Sequence, residues 1–275
     1  MSDTTGPWKV DAQVLESLRL EEARGALERS DPHKALVEAE ELLYLHPHQL
    51  EALTIVGEAA SAMGDAWTAR IAYGELKAVL PEDPAPLRGL MVAEFECLDY
   101  KRSLETSRQL AKMEPSSAEA WYFQGLACER LGRDSDAKRC IQKAARLAPD
   151  IYPPDAAVPP ATWKKAMARA RLLMPGPFRV FLKSVPIQWR DLPTNEDLLE
   201  SEPNTSPFVD ALYQGDPPRE GDPWTEPPTA VRLFKGNLRR PAPDDDEELA
   251  RRIAAALLRE AADWLGVPEP ELAER

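Results

Sequence analysis

Four prolines stand on one ruler: Pro47, Pro81, Pro115 and Pro149 are each 34 residues apart. A period of that length means one supersecondary unit copied along the chain, and it decides the fold before any other feature is weighed. Other residues keep the same register. Ala35, Ala69, Ser103 and Ala137 are small, Gly57 and Gly125 lie two periods apart, and Gly64 and Gly132 do likewise with Leu98 between them. The pattern is that of a helical hairpin. Two antiparallel helices approach closely only where small side chains sit at the crossing. A glycine at the turn takes backbone angles that other residues resist. The proline stops the second helix because it lacks an amide proton and its ring clashes with a continuing turn.

The fourth unit is the clearest copy, with Trp121, Gly125, Gly132, Ala137, Ile141, Ala144 and Pro149 in place. Over residues 16–151 the pattern resembles the tetratricopeptide repeat family. The resemblance implies an all-α solenoid of four helical hairpins, with a concave face contributed by the first helix of each. Such a face accommodates an extended peptide or a single helix. On this chain the facing positions include Arg24, Thr54 and Glu58, then Arg88, Val92 and Phe95, then Tyr122, Leu126 and Glu129. One subclass grips the C-terminal carboxylate of chaperones with Lys and Asn on this face. Thr54, Glu58, Arg88 and Val92 do not match it.

Charge narrows the partner. The formal net charge is −13, so the chain repels phosphate backbones and anionic membrane surfaces, and neither nucleic acid nor membrane is expected as a partner. No run of 18 apolar residues occurs, and residues 1–10 lack the apolar stretch of a signal peptide. Cys97, Cys128 and Cys140 show no C-x-x-C spacing, which fits reduced thiols in the cytoplasm.

Residues 1–15 read as an N-terminal extension and 152–160 as a stiff linker carrying Pro153, Pro154, Pro159 and Pro160. Within 161–275, helices are expected over 162–173 and 178–183 and strands over 185–192 and 230–234. A proline-rich loop is expected over 204–228 and a long helix over 244–265. That helix opens with five acidic residues, Asp244 to Glu248, at the positive end of its dipole. Leu249, Ile253, Ala256, Leu257 and Trp264 form its apolar stripe, and Gly266 ends it.

This order is punctuated by Met174-Pro175, Val185-Pro186-Ile187, Leu212-Tyr213-Gln214-Gly215-Asp216-Pro217 and Arg232-Leu233-Phe234. It resembles the minimal matrix-metalloprotease-like zincins of bacteria, which implies a small α+β domain. The resemblance also implies H-E-x-x-H-x-x-G-x-x-D on the last helix. There, two histidines one turn apart hold zinc and the glutamate is general base to the bound water. This chain instead reads Arg259-Glu260-Ala261-Ala262-Asp263-Trp264-Leu265-Gly266-Val267-Pro268-Glu269. Glu260 and Gly266 are kept, and Glu269 leaves an acid at the third ligand position. Arg259 and Asp263 stand where the histidines belong.

The only histidines are His33, His46 and His48, all in the repeats. Arg259 carries a permanent positive charge and no lone pair. The expectation is therefore a domain with no catalytic or metal-binding residues and no cofactor, in which Arg259 and Asp263 pair across one turn. The function expected is a non-catalytic adaptor or regulator that holds another protein or peptide in the repeat groove, with the former cleft as a second candidate surface. The alternatives are an assembly chaperone, or a peptidase using the carboxylates Asp263 and Glu269, a donor set that favours calcium or magnesium.

Overall fold

The structure is a computed structural model that describes residues 12–153, 157–199, 205–216, 227–240 and 245–266. The chain divides into two compact units, Met1–Leu147 and Ala148–Arg275.

The first unit is four helical hairpins: α1 (Ala12–Glu28) with α2 (Pro32–Leu45), α3 (Leu50–Met63) with α4 (Ala66–Val79), α5 (Ala85–Glu96) with α6 (Tyr100–Met113), and α7 (Ala118–Arg130) with α8 (Asp134–Leu147). Each helix packs on the next in sequence, so contacts stay local, as the period requires. The small residues in register, Ala35, Ala69, Ser103 and Ala137, are all buried. At Gly125 a Cβ would meet Ile141 Cγ1 at 2.5 Å, with the α8 backbone at 3.2 Å behind it, so α7 and α8 touch nearly main chain to main chain.

The turns repeat as strictly as the helices. Ser30, Gly64, Leu98 and Gly132 all have positive φ, between 59° and 76°. Leu98 thus adopts the left-handed conformation of the glycine it replaces. The next residue caps the second helix: Asp31, Asp65 and Asp99 accept the amides of Lys34, Thr68 and Arg102 at 3.1, 3.1 and 3.2 Å. The fourth unit has Arg133 at this position.

The second unit opens with α9 (Pro160–Leu173) and α10 (Gly176–Ser184). After them come β1 (Ile187–Arg190), α11 (Asn195–Leu199), β2 (Ala211–Gln214), β3 (Ala230–Phe234), α12 (Lys235–Leu238) and α13 (Asp246–Leu265). The sheet order is β1-β3-β2, with β1 parallel and β2 antiparallel to β3. Helices α9, α10 and α13 and strands β1 and β3 lie within a few residues of where the sequence places them, whereas the short helices α11 and α12 are not expected from it. Strand β2 is not expected either, since 204–228 reads as loop. Ala211 and Tyr213 face inward in alternation, but four residues give too little period to see against the surrounding prolines.

The α13 stripe of Leu249, Ile253, Ala256 and Leu257 is buried, and it packs with Phe178, Leu182, Val231 and Leu233 in one core. Trp163, Ala166, Met167 and Ala170 bring α9 into that core. Asp245 caps α13 by accepting the amides of Glu247 and Glu248 at 2.9 and 2.7 Å, and Gly266 ends the helix at φ 65°. Buried Asp197 pairs with Arg232 of β3 and accepts the Thr194 amide at 2.7 Å. Pro154, Pro217, Asp244 and Glu269 lie outside the described residues, as do 1–11 of the N-terminal extension. Among the described residues no helix is long and apolar enough to cross a membrane.

Candidate functional site

Four of the expected groove residues meet in one trough of about 550 Å³: Arg24 from α1, Thr54 and Glu58 from α3, and Arg88 from α5. The two arginines are tied down. Arg24 bonds Glu51 at 2.5 Å, and Arg88 pairs with Glu114 and, at 3.7 Å, with Glu119. Burial raises the Glu119 carboxyl above its ordinary value, and Arg88 pulls against that rise.

Tyr73 of α4 enters the same trough, although the repeat pattern assigns the groove to first helices alone. Two glycines admit it. A Cβ at Gly57 would lie 2.7 Å from the Tyr73 ring, and one at Gly89 would be closer still. A glycine on each neighbouring first helix, flanking an aromatic on the helix between them, is the signal that could have found it. Burial, and less strongly Glu58, push the Tyr73 phenol up, while its hydrogen bond with Ser61 opposes them.

The other groove positions divide. Val92 and Tyr122 are half-buried against the core of the third and fourth repeats, Tyr122 edge-on to Phe123 at 6.1 Å, and Glu129 is half-buried. Phe95 and Leu126 are corrections. Both are buried in that core, with the Phe95 ring 5.1 Å from Tyr100 and 5.7 Å from Phe123. One repeat or two earlier, the same register positions hold Ser61 and Glu58, which are exposed. The position is the same and polarity decides: burying a large apolar side chain is worth about 2–3 kcal/mol, and burying a serine or glutamate gains nothing comparable.

In the second unit α13 places Arg259, Glu260 and Asp263 together near Asp210, just ahead of β2. Arg259 does not pair with Asp263 as expected. Its Nε lies 3.2 Å from Glu260 Oε1 and a terminal nitrogen 3.6 Å from Asp210 Oδ2. Those two carboxylates are the less hydrated, with side chains 13% and 27% exposed, so a cation gains more there than at exposed Asp263. Burial pushes Glu260 up to about 7; Arg259 opposes this, while Asp263 and Asp210 add to it. Asp210 is also raised by burial against the pull of Arg259. Tyr213 donates to the Leu257 carbonyl at 2.9 Å and stacks on Trp264, whose indole donates to the Gly215 carbonyl at 3.1 Å. Burial first, then Glu260, raises the Tyr213 phenol.

A zinc ion does not fit this donor set. Arg259 supplies a cation and no lone pair, and it pairs with Glu260, the carboxylate at the general-base position. Among the described residues no three His, Cys, Asp or Glu side chains converge to hold a metal.

Residues 182–275 match the family model of the zincin-like metallopeptidases, and residues 118–151 match that of the tetratricopeptide repeat. Among solved structures, a MamA fragment from Desulfovibrio magneticus RS-1 is 22% identical with a TM-score of 0.46, covering 49% of this chain and 76% of its own. Another structure, of MamA protein, is 16% identical with a TM-score of 0.47, covering 49% and 73%. TTC0263, a thermophilic TPR protein of Thermus thermophilus, is 20% identical with a TM-score of 0.40, covering 49% and 75%. No curated protein matches the chain.

Proposed function

We propose that this protein is a non-catalytic adaptor or regulator. It holds a partner protein or peptide in the trough of its repeat unit, and its zincin-like unit has lost metal chemistry. The observation that carries the reading is the trough itself, where side chains from three successive repeats line one continuous space of about 550 Å³. Leu76 and Leu80 line it beside the polar side chains of Arg24, Thr54, Glu58 and Arg88. That combination suits a segment whose side chains alternate between apolar anchor and polar contact.

The non-catalytic part rests on donor chemistry. A hydrolytic zinc needs neutral imidazoles or anions in its first three positions. Arg259 offers neither and is paired with Glu260, the residue that would otherwise serve as base. Affinity capture with the tagged protein tests the groove. A partner retained by the wild type should be lost from a Thr54→Ala/Glu58→Ala/Arg88→Ala variant, and recovery with both moves the binding site elsewhere. Phe95→Ala is a poor probe, because it empties the core. Equilibrium dialysis tests the second part: the wild type should bind no zinc, and stoichiometric zinc on the second unit would overturn it.

A further inference from the structure

A second trough, of about 410 Å³, lies in the second unit between α9, β1 and α12. It shares no residue with the Arg259–Glu260 cluster. Trp163, Met167 and Trp189 form its apolar floor, and the two indole rings sit 5.3 Å apart with their planes tilted by 57°. Lys164 and Arg171 of α9 and Lys235 of α12 form its rim, with Lys235 Nζ 5.7 Å from the centre of the Trp189 ring. No acidic side chain lines it among the described residues.

The cations of α9 fall into two sets. Lys165 and Arg169 turn toward α13 and pair with Asp246 at 2.6 Å and Glu247 at 3.7 Å. Lys164, Arg171 and Lys235 make no ion pair among the described residues. In a chain with 47 acidic and 34 basic residues, a rim of three cations over two tryptophans is a local reversal of sign. Like charges gathered without a counter-charge favour an anionic occupant, and the indoles add apolar contact area.

Spacing selects the kind of anion. Lys164 and Arg171 are seven residues apart on one helix, so their anchors are spread about 10 Å along the trough instead of gathered at one point. In an extended chain every second side chain faces the same way, so two same-face groups with a third between them lie about 13 Å apart, within reach of two long cationic side chains anchored about 10 Å apart. We infer that this trough binds an acidic linear segment of a partner protein. Carboxylates four residues apart, on one face of the segment, meet Lys164 and Arg171, and the apolar side chain midway between them on that face rests on Trp163, Met167 and Trp189. The inference stands apart from the repeat groove and does not depend on it.

Selection from a random-peptide display library tests it, run on the full-length protein and on a Lys164→Glu/Arg171→Glu variant. Both substituted positions are exposed, and circular dichroism checks that the variant is folded. A Lys235→Gln variant is the milder second probe. Peptides with Asp or Glu four apart and an apolar residue midway should be enriched on the wild type at least tenfold over the charge-reversed variant. A synthetic copy of the best one should change tryptophan fluorescence and bind several-fold more weakly to Lys235→Gln. It should bind undiminished to Thr54→Ala/Glu58→Ala/Arg88→Ala, which separates this site from the groove. Equal enrichment on both proteins, enriched peptides without acids, or displacement of the peptide by equimolar inorganic phosphate or single-stranded oligonucleotide would overturn the proposal.

Discussion

A left-handed backbone costs a side-chain-bearing residue roughly 1–2 kcal/mol and costs glycine almost nothing. Ser30, Gly64, Leu98 and Gly132 therefore form an internal experiment on one turn. Gly132→Ala should destabilise the first unit by about 1 kcal/mol, and exposed Ser30→Gly should stabilise it by a few tenths, both read from urea unfolding. Leu98→Gly should be close to neutral, because relief of strain is offset by loss of its packing on the neighbouring core. A second residue-scale effect belongs to Glu260. Its folded value of about 7 lies above the ordinary 4.5, so the folded state holds a proton that the unfolded chain has released between those values. Stability of the second unit should fall as pH rises from about 4.5 to 7 and stay low above it, with Asp210 acting in the same direction. Glu260→Gln should flatten that slope and raise stability at pH 8 by up to about 3 kcal/mol, measured by denaturant titration at several pH values.

Elements are where the sequence is most legible. The 34-residue ruler locates four hairpins because proline, glycine and small residues act through backbone sterics, which tertiary context rarely overrides. The same ruler carries the caps at Asp31, Asp65 and Asp99. Arginine has no acceptor to offer an amide, so Arg133→Asp should stabilise α8 by about 0.5–1 kcal/mol, visible as a higher melting temperature of the repeat unit. Faces are less legible than elements. A stripe at i, i+4 and i+7 marks one side of a helix but not whether a given side chain on it turns outward. Apolar Phe95 and Leu126 turn inward, and only their chemistry, not their spacing, foretells it. Tyr73 escapes the pattern for the converse reason: what admits it is the absence of side chains at Gly57 and Gly89, on other helices. The short strand β2 is hidden among prolines. The exchange of Arg259's partner from Asp263 to Glu260 and Asp210 depends on a contact between α13 and the chain ahead of β2 that no local pattern records.

For the whole molecule, the two units have separate cores, one set built from helix pairs adjacent in sequence and the other from α9, α10, the sheet and α13. A fragment of residues 1–153 should keep a helical spectrum and a cooperative melt of its own; a fragment that is unfolded in isolation would show that the repeats need the rest of the chain. The sheet order carries a consequence for the chain as it is made. Among the described residues both β1 and β2 bond only to β3, which comes last of the three. The repeats pack helices adjacent in the chain, so each addition finds its neighbour already made, whereas two strands of the second unit must wait for a third. Until residue 234 is made, β1 and β2 therefore lack the strand they bond to.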